Sequence, residues 1–373
     1  MASTSIAATL AALSLCVLTA CTTAPVQQAA PADPLADFPP LAAKAAPGAS
    51  PAARQFAANL KRGVNFGNML DAPTEGAWYL SAEDRFIDLV GAHGGLGVID
   101  SVRLPVRWSN HASADAQARI DPAFMARVEA VVQRLLQRGV PVVMDMHHYR
   151  QLDGDALDAG ETAVDDAVVE RRFLAMWKQI AEHFRAYPPT LAFELYNEPH
   201  GRLTTRWNEL ASRALRVVRQ SNPERIVVVG PTQWNSARGL ATFEVPPDAN
   251  LILTIHDYDP FTFTHQGAPW VKPVMPVGID CCSAEQLANL REPLDLAQKF
   301  GKRTGYPVYL GEFGAINTAA PAARNRYVRA MRNEAELRGM SWAYWELAAD
   351  FGFIDPKTGQ VRPDGLEAAL FGF

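Results

Sequence analysis

Two short apolar runs in this chain each end in a carboxylate. They are Phe193-Glu194-Leu195-Tyr196-Asn197-Glu198-Pro199 and Tyr309-Leu310-Gly311-Glu312-Phe313-Gly314. Because burying an unpaired carboxylate is costly, an apolar strand has no packing reason to end in Glu. The two ends therefore indicate that Glu198 and Glu312 converge on one site. A carboxyl that donates a proton and a carboxylate that attacks are the groups that hydrolysis of a glycosidic bond requires.

Other apolar runs also carry polar groups at their ends. Arg103 lies in Val102-Arg103-Leu104-Pro105, and a cation inside an apolar strand requires an anion. Tyr258 follows His256 by two residues, which places both side chains on one face of a strand. The remaining strand-end groups are Asn68, His147, His148, Asn197 and Trp345.

The Asp145-Met146-His147-His148 segment could be mistaken for a metal site. No third and fourth ligand stands at helical or turn spacing from it, so we expect no metal and no cofactor. The glycine-rich run 91–97 precedes a predicted strand, which is the wrong context for phosphate binding. The chain also has no Gly-x-Ser-x-Gly elbow.

These groups must be positioned by the elements between them. Eight β-rich runs alternate with amphipathic helical patterns, such as 124–138, 173–185 and 207–220, which predicts an α/β fold, a (β/α)8 TIM barrel. The C-terminal ends of barrel strands meet at one face, so the polar groups would share a site. Trp177 and Trp207 fall in helical patterns and are expected in the core. The predicted strands are 63–68, 99–106, 140–147, 191–197, 225–230, 251–256, 307–312 and 340–345.

The ordered set of strand-end groups resembles the active site of glycoside hydrolase family 5, the cellulase family. The resemblance runs from Arg62-Gly63-Val64-Asn65 to Phe351-Gly352, and it includes the motif Asn197-Glu198-Pro199. It implies that Glu198 on the fourth strand is the general acid/base and that Glu312 on the seventh is the nucleophile of a retaining mechanism. The two carboxyl groups should then lie about 5–5.5 Å apart.

The resemblance also implies supporting roles. Arg103 would pair with Glu312 and lower the pKa of that carboxyl, and Tyr258 would donate a hydrogen bond to it. His256 would lie beside Glu198, and Asn197 would contact the sugar 2-hydroxyl. His147 matches a family position.

The substrate-binding prediction rests on stacking and loop position. Trp345 would stack on a pyranose ring, and the run Phe261–Ala268 resembles the loop of bacterial endo-β-1,4-glucanases. We expect a β-1,4-glucan such as cellulose as the substrate; β-mannan, β-1,3-glucan and exo action stay open. Further predicted substrate contacts are Asn68, Trp78, His148, Trp234 and Trp270.

Each of these residues also has a purely structural alternative: a helix cap, a core ion pair or barrel packing. A non-catalytic carbohydrate-binding protein would normally have lost one glutamate or Arg103, and all three are present. A metal-dependent lyase lacks its ligand set. The net charge of −5 and pI near 5.9 argue against a nucleic-acid partner. We expect a monomer.

The N-terminal segment differs from the remainder in composition. Residues 1–20 predict a signal peptide, although no Lys or Arg precedes its apolar run. Leu18-Thr19-Ala20-Cys21 resembles a bacterial lipobox, so we expect secretion or a periplasmic location, with a lipid anchor on Cys21 in the outer membrane. Residues 21–54 are rich in Ala and Pro and predict a flexible linker, which leaves 55–373 as the catalytic domain.

Cysteine usage outside the signal region is limited to the adjacent pair Cys281-Cys282. Neighbouring cysteines rarely bridge each other, so we expect two free thiols, with a vicinal or intermolecular disulfide as the alternative.

Overall fold

Eight parallel strands form a closed barrel in chain order, with the eighth pairing back to the first. A computed structural model of the chain describes residues 1–2 and 33–372. The predicted (β/α)8 TIM barrel is confirmed, and each predicted strand run overlaps one strand. The strands are β1 (Arg62–Asn65), β2 (Ser101–Leu104), β3 (Val142–Asp145), β4 (Leu191–Glu194), β5 (Val227–Val229), β6 (Leu251–His256), β7 (Val308–Glu312) and β8 (Ser341–Tyr344).

The described helices surround the barrel or lie in its loops, and the three predicted helical patterns each coincide with a helix. The α-helices are α1 (Pro51–Leu60), α2 (Asp84–Ile87), α3 (Pro122–Gln137), α4 (Arg150–Asp153), α5 (Val169–His183), α6 (Trp207–Ser221), α7 (Phe261–Thr264), α8 (Ala284–Thr304), α9 (Pro321–Leu337) and α10 (Leu366–Phe371). Short 3-10 turns span Trp108–His111, Asp166–Val168, Phe184–Ala186, Gly201–Thr205 and Ala237–Ala241.

The core has two layers. Inward-facing side chains fill the barrel, among them Val143, Val228 and Ile252, and the apolar face of α1 packs against this cluster. A larger layer lies between the strands and the surrounding helices, and it includes Trp177 and Trp207, as predicted. The interior is therefore a packed support, and the chemistry is left to the C-terminal strand ends.

Part of the segment predicted as a flexible linker, residues 21–54, lies against the barrel in the structure. Residues from Leu35 onward belong to the barrel unit. Leu35 is buried, and Arg213 on α6 donates to the carbonyls of Leu35 and Phe38 at 2.9 and 2.7 Å. Ser50 then caps α1 by accepting from the Ala53 amide. Backbone carbonyls and a few apolar contacts attach this segment, and its Ala- and Pro-rich composition does not reveal them.

The expectation of free thiols is also wrong, because Cys281 and Cys282 form a disulfide. Cys281 is buried, and Arg326 on α9 donates to its carbonyl at 2.8 Å. Arg326 also pairs with Asp280 at 2.6 Å. These contacts come from a distant helix, so the sequence around the cysteines carries no signal for them.

The predicted signal peptide, the lipobox with Cys21 and the first part of the linker lie outside the described residues, apart from residues 1–2. Within the described part of the chain, no helix has the length and apolar character needed to cross a membrane.

Candidate active site

The two predicted carboxylates meet at the C-terminal face of the barrel. Nδ1 of His256 lies 2.9 Å from Oε1 of Glu198 and 3.7 Å from Oε2 of Glu312. One carboxylate oxygen from each glutamate and one nitrogen of His256 lie within 4.8 Å of one another. A register shift after Ile255 pairs His256 with Glu312 across β6 and β7. His256 and Glu312 follow Glu198 by 58 and 114 residues in the chain, and the strand register places both of them beside it.

Glu312 accepts hydrogen bonds from two donors. Nη1 of Arg103 lies 2.6 Å from Oε1, and the Tyr258 hydroxyl lies 2.8 Å from Oε2. Burial nevertheless raises the pKa of Glu312 to about 7, against the opposing effects of Arg103 and Tyr258. The expected contacts are present, but the expected lowering of the pKa below its usual range is not. Desolvation of a fully enclosed carboxyl outweighs its two donors.

Glu198 has a pKa raised further than that of Glu312. Burial is the largest cause, and the neighbouring charge of Glu312 adds to it. Burial and the charge of Arg103 also lower the pKa of His256 far below its usual range, so its ring is neutral. The Asn235 amide nitrogen lies 3.5 Å from Nε2 of that ring, which leaves Nδ1–H to donate to Glu198. At neutral pH the pair can therefore hold a protonated Glu198 beside an ionised Glu312.

Arg103 lies at the centre of a fully buried polar network. Besides Glu312, its guanidinium contacts Asp145 at 2.8 Å and both oxygens of Glu194 at 2.8 Å. It also donates to Asn197 Oδ1 at 2.8 Å, which leaves the Asn197 amide nitrogen as that side chain's donor. One cation thus serves three carboxylates, and its fork fixes Glu312 and Asn197 relative to each other.

Sequence analysis missed three members of this network, and it had noted Asp145 only as a neighbour of the two histidines. Glu194 stands inside an apolar run, and that position was a signal of a buried partner. Asn65 accepts from Arg103 at 3.0 Å and donates to the Gly311 carbonyl at 2.9 Å. It pairs with Arg103 in the register between β1 and β2, but nothing in its local sequence indicated this contact.

His147 and Trp345 form one wall of the site. Their rings are stacked at 5.5 Å with an interplanar angle of 9°. Nδ1 of His147 lies 3.3 Å from each carboxylate oxygen of Asp145. A Cβ on Gly67 would lie 2.7 Å from the Trp345 ring, so this position requires a glycine for close approach. The Trp345 ring, which is the predicted sugar platform, therefore packs between the His147 ring and the Gly67 backbone.

His148 and Trp78 lie beside this wall. Their rings meet edge to face at 5.7 Å, and Arg107 lies over the Trp78 ring at 5.1 Å. His148 is partly exposed and Nε2 lies 4.0 Å from Asp71 Oδ2. The predicted contact Asn68 donates its backbone amide to the same carboxylate at 3.0 Å.

Asp71 gives His147 and His148 a neighbour that local spacing did not reveal. One ligand atom from each of the three residues lies within 4.8 Å of the others. However, the two oxygens of Asp71 already accept the Asn68 and Met69 amides at 3.0 and 2.8 Å. These bonds account for the buried carboxylate without a metal, and metal-free chemistry stays our prediction.

Exposed aromatic side chains follow the C-terminal ends of the strands. Trp234 after β5 is 55% exposed and Trp270 after β6 is 52% exposed. Tyr79 after β1 and Phe261 in α7 are exposed as well. Among the described residues, no other Phe, Tyr or Trp side chain is largely exposed. The barrel therefore concentrates its exposed rings on the face that carries the carboxylates.

A parallel barrel with two glutamates at the ends of strands four and seven is the arrangement found in one class of glycoside hydrolases. The chain matches the family model described as cellulase (glycosyl hydrolase family 5) over residues 63–350. The chain belongs to this family.

Known relatives agree with the family. Endoglucanase H of Acetivibrio thermocellus is 34% identical over 301 residues, which cover 79% of this chain and 30% of the relative. Cel5A of Thermotoga maritima, solved with mannotriose, has a TM-score of 0.78 and 37% identity, covering 84% of this chain and 99% of its own. A hyperthermophilic endo-β-1,4-glucanase solved with substrate has a TM-score of 0.80 and 33% identity, covering 86% and 99%.

Two of the curated relatives are much longer than this chain. It spans 30% of endoglucanase H and 37% of the cellulase/esterase CelE of the same organism.

Proposed function

We propose that the protein is a retaining endo-β-1,4-glucanase. The observation that carries the proposal is that Glu198 and Glu312 face one another across His256, with carboxylate oxygens within 4.8 Å. Retaining enzymes place their carboxyl groups about 5–5.5 Å apart, whereas inverting enzymes need about 6.5–9.5 Å to admit a water. The short separation supports direct attack by one carboxylate.

In the first step Glu312 attacks the anomeric carbon while Glu198 donates its proton to the leaving oxygen. The C–O bond to the leaving sugar breaks and an ester bond to Glu312 forms. In the second step Glu198 removes a proton from water, and the water oxygen replaces Glu312 at the anomeric carbon. The raised pKa of Glu198 suits the first step, and its ionised form suits the second.

The neighbours assist this sequence without entering it. Arg103 and Tyr258 hold one carboxylate rotamer of Glu312 through a bond to each oxygen. The Asn197 amide nitrogen is the donor we assign to the sugar 2-hydroxyl, a contact that strengthens as the oxocarbenium-like transition state forms. Trp345 supplies the flat apolar face for the bound pyranose.

We assign internal cleavage of a β-1,4-glucan to the C-terminal face of the barrel, which carries the exposed aromatic side chains. Trp78, Trp234 and Trp270 follow three different strands and would contact successive sugars of a long chain. The relatives known as endoglucanase H and as a hyperthermophilic endo-β-1,4-glucanase support a glucan. β-Mannan belongs in the test because Thermotoga maritima Cel5A was solved with mannotriose as well as with cellobiose.

The test is incubation with carboxymethylcellulose, mixed-linkage glucan, β-1,3-glucan and β-mannan, with and without EDTA. We expect a rapid fall in viscosity and release of short oligosaccharides from the β-1,4-glucans, unchanged by EDTA. The matched variants Glu198→Gln and Glu312→Gln should lose orders of magnitude in rate with the fold intact. Release from mannan alone, or from no polysaccharide, would contradict the proposal.

We propose in addition that the protein is secreted and lipid-anchored through Cys21, with the barrel acting as a monomer outside the cytoplasm. The support is the run Leu18-Thr19-Ala20-Cys21 after an apolar segment. Mass spectrometry of the N-terminal peptide should find acyl chains on Cys21, and Cys21→Ser should move the enzyme from the membrane to the soluble fraction. An unmodified Cys21 in a soluble protein would contradict this assignment.

A further inference from the structure

Glu198 has an unusual backbone for a residue that must aim a proton. Its φ is +53°, in the left-handed region that side chains other than glycine rarely adopt. Such a conformation persists only where surrounding contacts hold it. The contacts around the Glu198 carbonyl are therefore part of what directs its carboxyl.

His200 supplies a contact to that carbonyl. Nδ1 of its ring lies 2.6 Å from the backbone oxygen of Glu198. A carbonyl oxygen only accepts, so Nδ1 carries the hydrogen and donates it. On the other side of the ring, Nε2 lies 3.1 Å from Oδ2 of Asp155, which also receives Arg150 at 3.2 Å. The ring thus has a polar neighbour at each nitrogen, the Glu198 carbonyl at Nδ1 and the Asp155 carboxylate at Nε2.

Further bonds anchor His200 to the loop after β3. Its backbone amide donates to Asp153 Oδ1 at 3.3 Å, and the same carboxylate accepts the hydroxyl of buried Tyr196. The His200 side chain is only 13% exposed. Because Asp153 holds the backbone of His200 and the side chain is largely enclosed, its ring can resist movement of the Glu198 backbone toward ordinary conformations.

The same ring supports an exposed tryptophan. His200 and Trp234 stack at 4.6 Å with an interplanar angle of 19°, and the Trp234 amide bonds the Pro199 carbonyl at 3.4 Å. His200 thus has two separable contacts: a hydrogen bond to Glu198 and an aromatic stack with Trp234.

We propose that His200 is a positioning residue for proton transfer by Glu198, acting through its hydrogen bond to the Glu198 carbonyl. This inference rests on the proposed glycosidase function, in which Glu198 is the acid/base. Loss of the bond lets the Glu198 backbone relax and displaces the carboxyl from the leaving oxygen. The resulting loss of kcat/KM is then larger for a substrate whose leaving group needs protonation.

Two variants separate the contacts of His200. His200→Phe retains the aromatic stack and loses the donor, whereas His200→Asn retains a donor near the Nδ1 position and loses the stack. Two substrates separate the chemistry, namely phenyl β-cellobioside, whose leaving group needs protonation, and 2,4-dinitrophenyl β-cellobioside, whose leaving group does not. Both carry the same cellobiosyl unit, and neither has a sugar as its leaving group. The measured quantity is kcat/KM, which reports the first step for both substrates.

We expect His200→Phe to lower kcat/KM for the phenyl substrate by about 10- to 100-fold, within the range that general acid catalysis contributes. The dinitrophenyl substrate should change by less than about threefold. His200→Asn should recover most of the loss. Equal losses on both substrates in His200→Phe, or no recovery in His200→Asn, would overturn the inference. A wild-type protein inactive on both substrates and on glucans would refute the proposed function and the inference with it.

Discussion

The Arg103 guanidinium lies 2.6 Å from Glu312, and the arginine is completely buried. The same cation contacts Asp145 and Glu194 at 2.8 Å each. The proposed nucleophile is therefore one of three acids that depend on a single positive charge. That arrangement links the activity of the protein to its stability.

Removing the charge of Arg103 should lower both the activity and the stability of the protein. In Arg103→Met the three carboxylates lose their cation, so we expect a loss of about 3–5 kcal/mol in the free energy of unfolding. Activity should fall by several orders of magnitude, because Glu312 is no longer oriented. Denaturant unfolding and kcat/KM measure the two effects. The control is Arg291→Met, which breaks an exposed pair with Glu334 and should cost about 0–1 kcal/mol. Similar losses in the two variants would contradict the role of the network.

Tyr258→Phe should shift the pH dependence of the enzyme. The Tyr258 hydroxyl donates to Glu312 and lowers the pKa of that carboxyl, so its removal raises the pKa. Ionisation of Glu312 then requires a higher pH, and the acidic limb of the kcat/KM profile moves upward. Exposed Tyr79→Phe is the control, and its profile should match the wild type. An acidic limb that stays in place or moves to lower pH would exclude this role for Tyr258.

Gly67→Ala tests the position of Trp345. The added methyl group would lie 2.7 Å from the indole ring, so the ring must move. We expect KM for oligosaccharides to rise by about tenfold, since one stacking platform contributes on the order of 1 kcal/mol. Gly95→Ala is the matched control, because the nearest atom to its methyl group would be the end of the Leu89 side chain, at 3.3 Å. Unchanged KM in Gly67→Ala would show that this wall does not bind sugar.

Asp257→Asn should change how stability depends on pH. Burial raises the pKa of Asp257 to about 8, and Oδ2 has no hydrogen-bond partner among the described residues. A folded-state pKa above the unfolded value of about 3.9 means that the folded state binds more protons. Asp257 therefore makes folding less favourable as the pH rises from about 4 toward 8.

The asparagine variant cannot titrate at this position. Between pH 5 and pH 8, its free energy of unfolding should fall by roughly 1–3 kcal/mol less than that of the wild type. Denaturant unfolding at the two pH values measures the difference, with exposed Asp88→Asn as the control. Parallel pH dependence in the wild type and Asp257→Asn would show that Asp257 does not titrate in this range.

The barrel and the convergence of its strand-end groups were predictable from the sequence. The apolar runs and the helical patterns between them indicate the elements, and the polar residues stand where those runs end. Apolar runs such as 251–256 indicate strands, and a barrel topology then places Glu198, His256 and Glu312 at one face. The partners of Arg103 were less visible. Glu194 carried a signal in its apolar surroundings, whereas Asn65 is brought to Arg103 only by the pairing of β1 with β2.

The departures from prediction have a common physical origin in long-range contacts. Residues 35–50 attach to α6 partly through carbonyls, which every sequence possesses, so composition alone cannot distinguish them from a linker. The contacts of His200 were equally hidden from the sequence, because its partners lie on two loops that follow different strands. The pKa of Glu312 depends on the balance between burial and two donors, and sequence shows the donors but not the depth of burial.

The role of Glu312 can be read directly by incubating the protein with 2,4-dinitrophenyl 2-deoxy-2-fluoro-β-cellobioside and mapping the labelled peptide by mass spectrometry. The fluorine slows hydrolysis of the glycosyl-enzyme, so the first intermediate should accumulate. We predict one fluorocellobiosyl group per protein, attached to Glu312, and no label in Glu312→Gln. A label on Glu198, or cleavage of glucan with inverted products and no label, would contradict the assignment of Glu312 as the nucleophile.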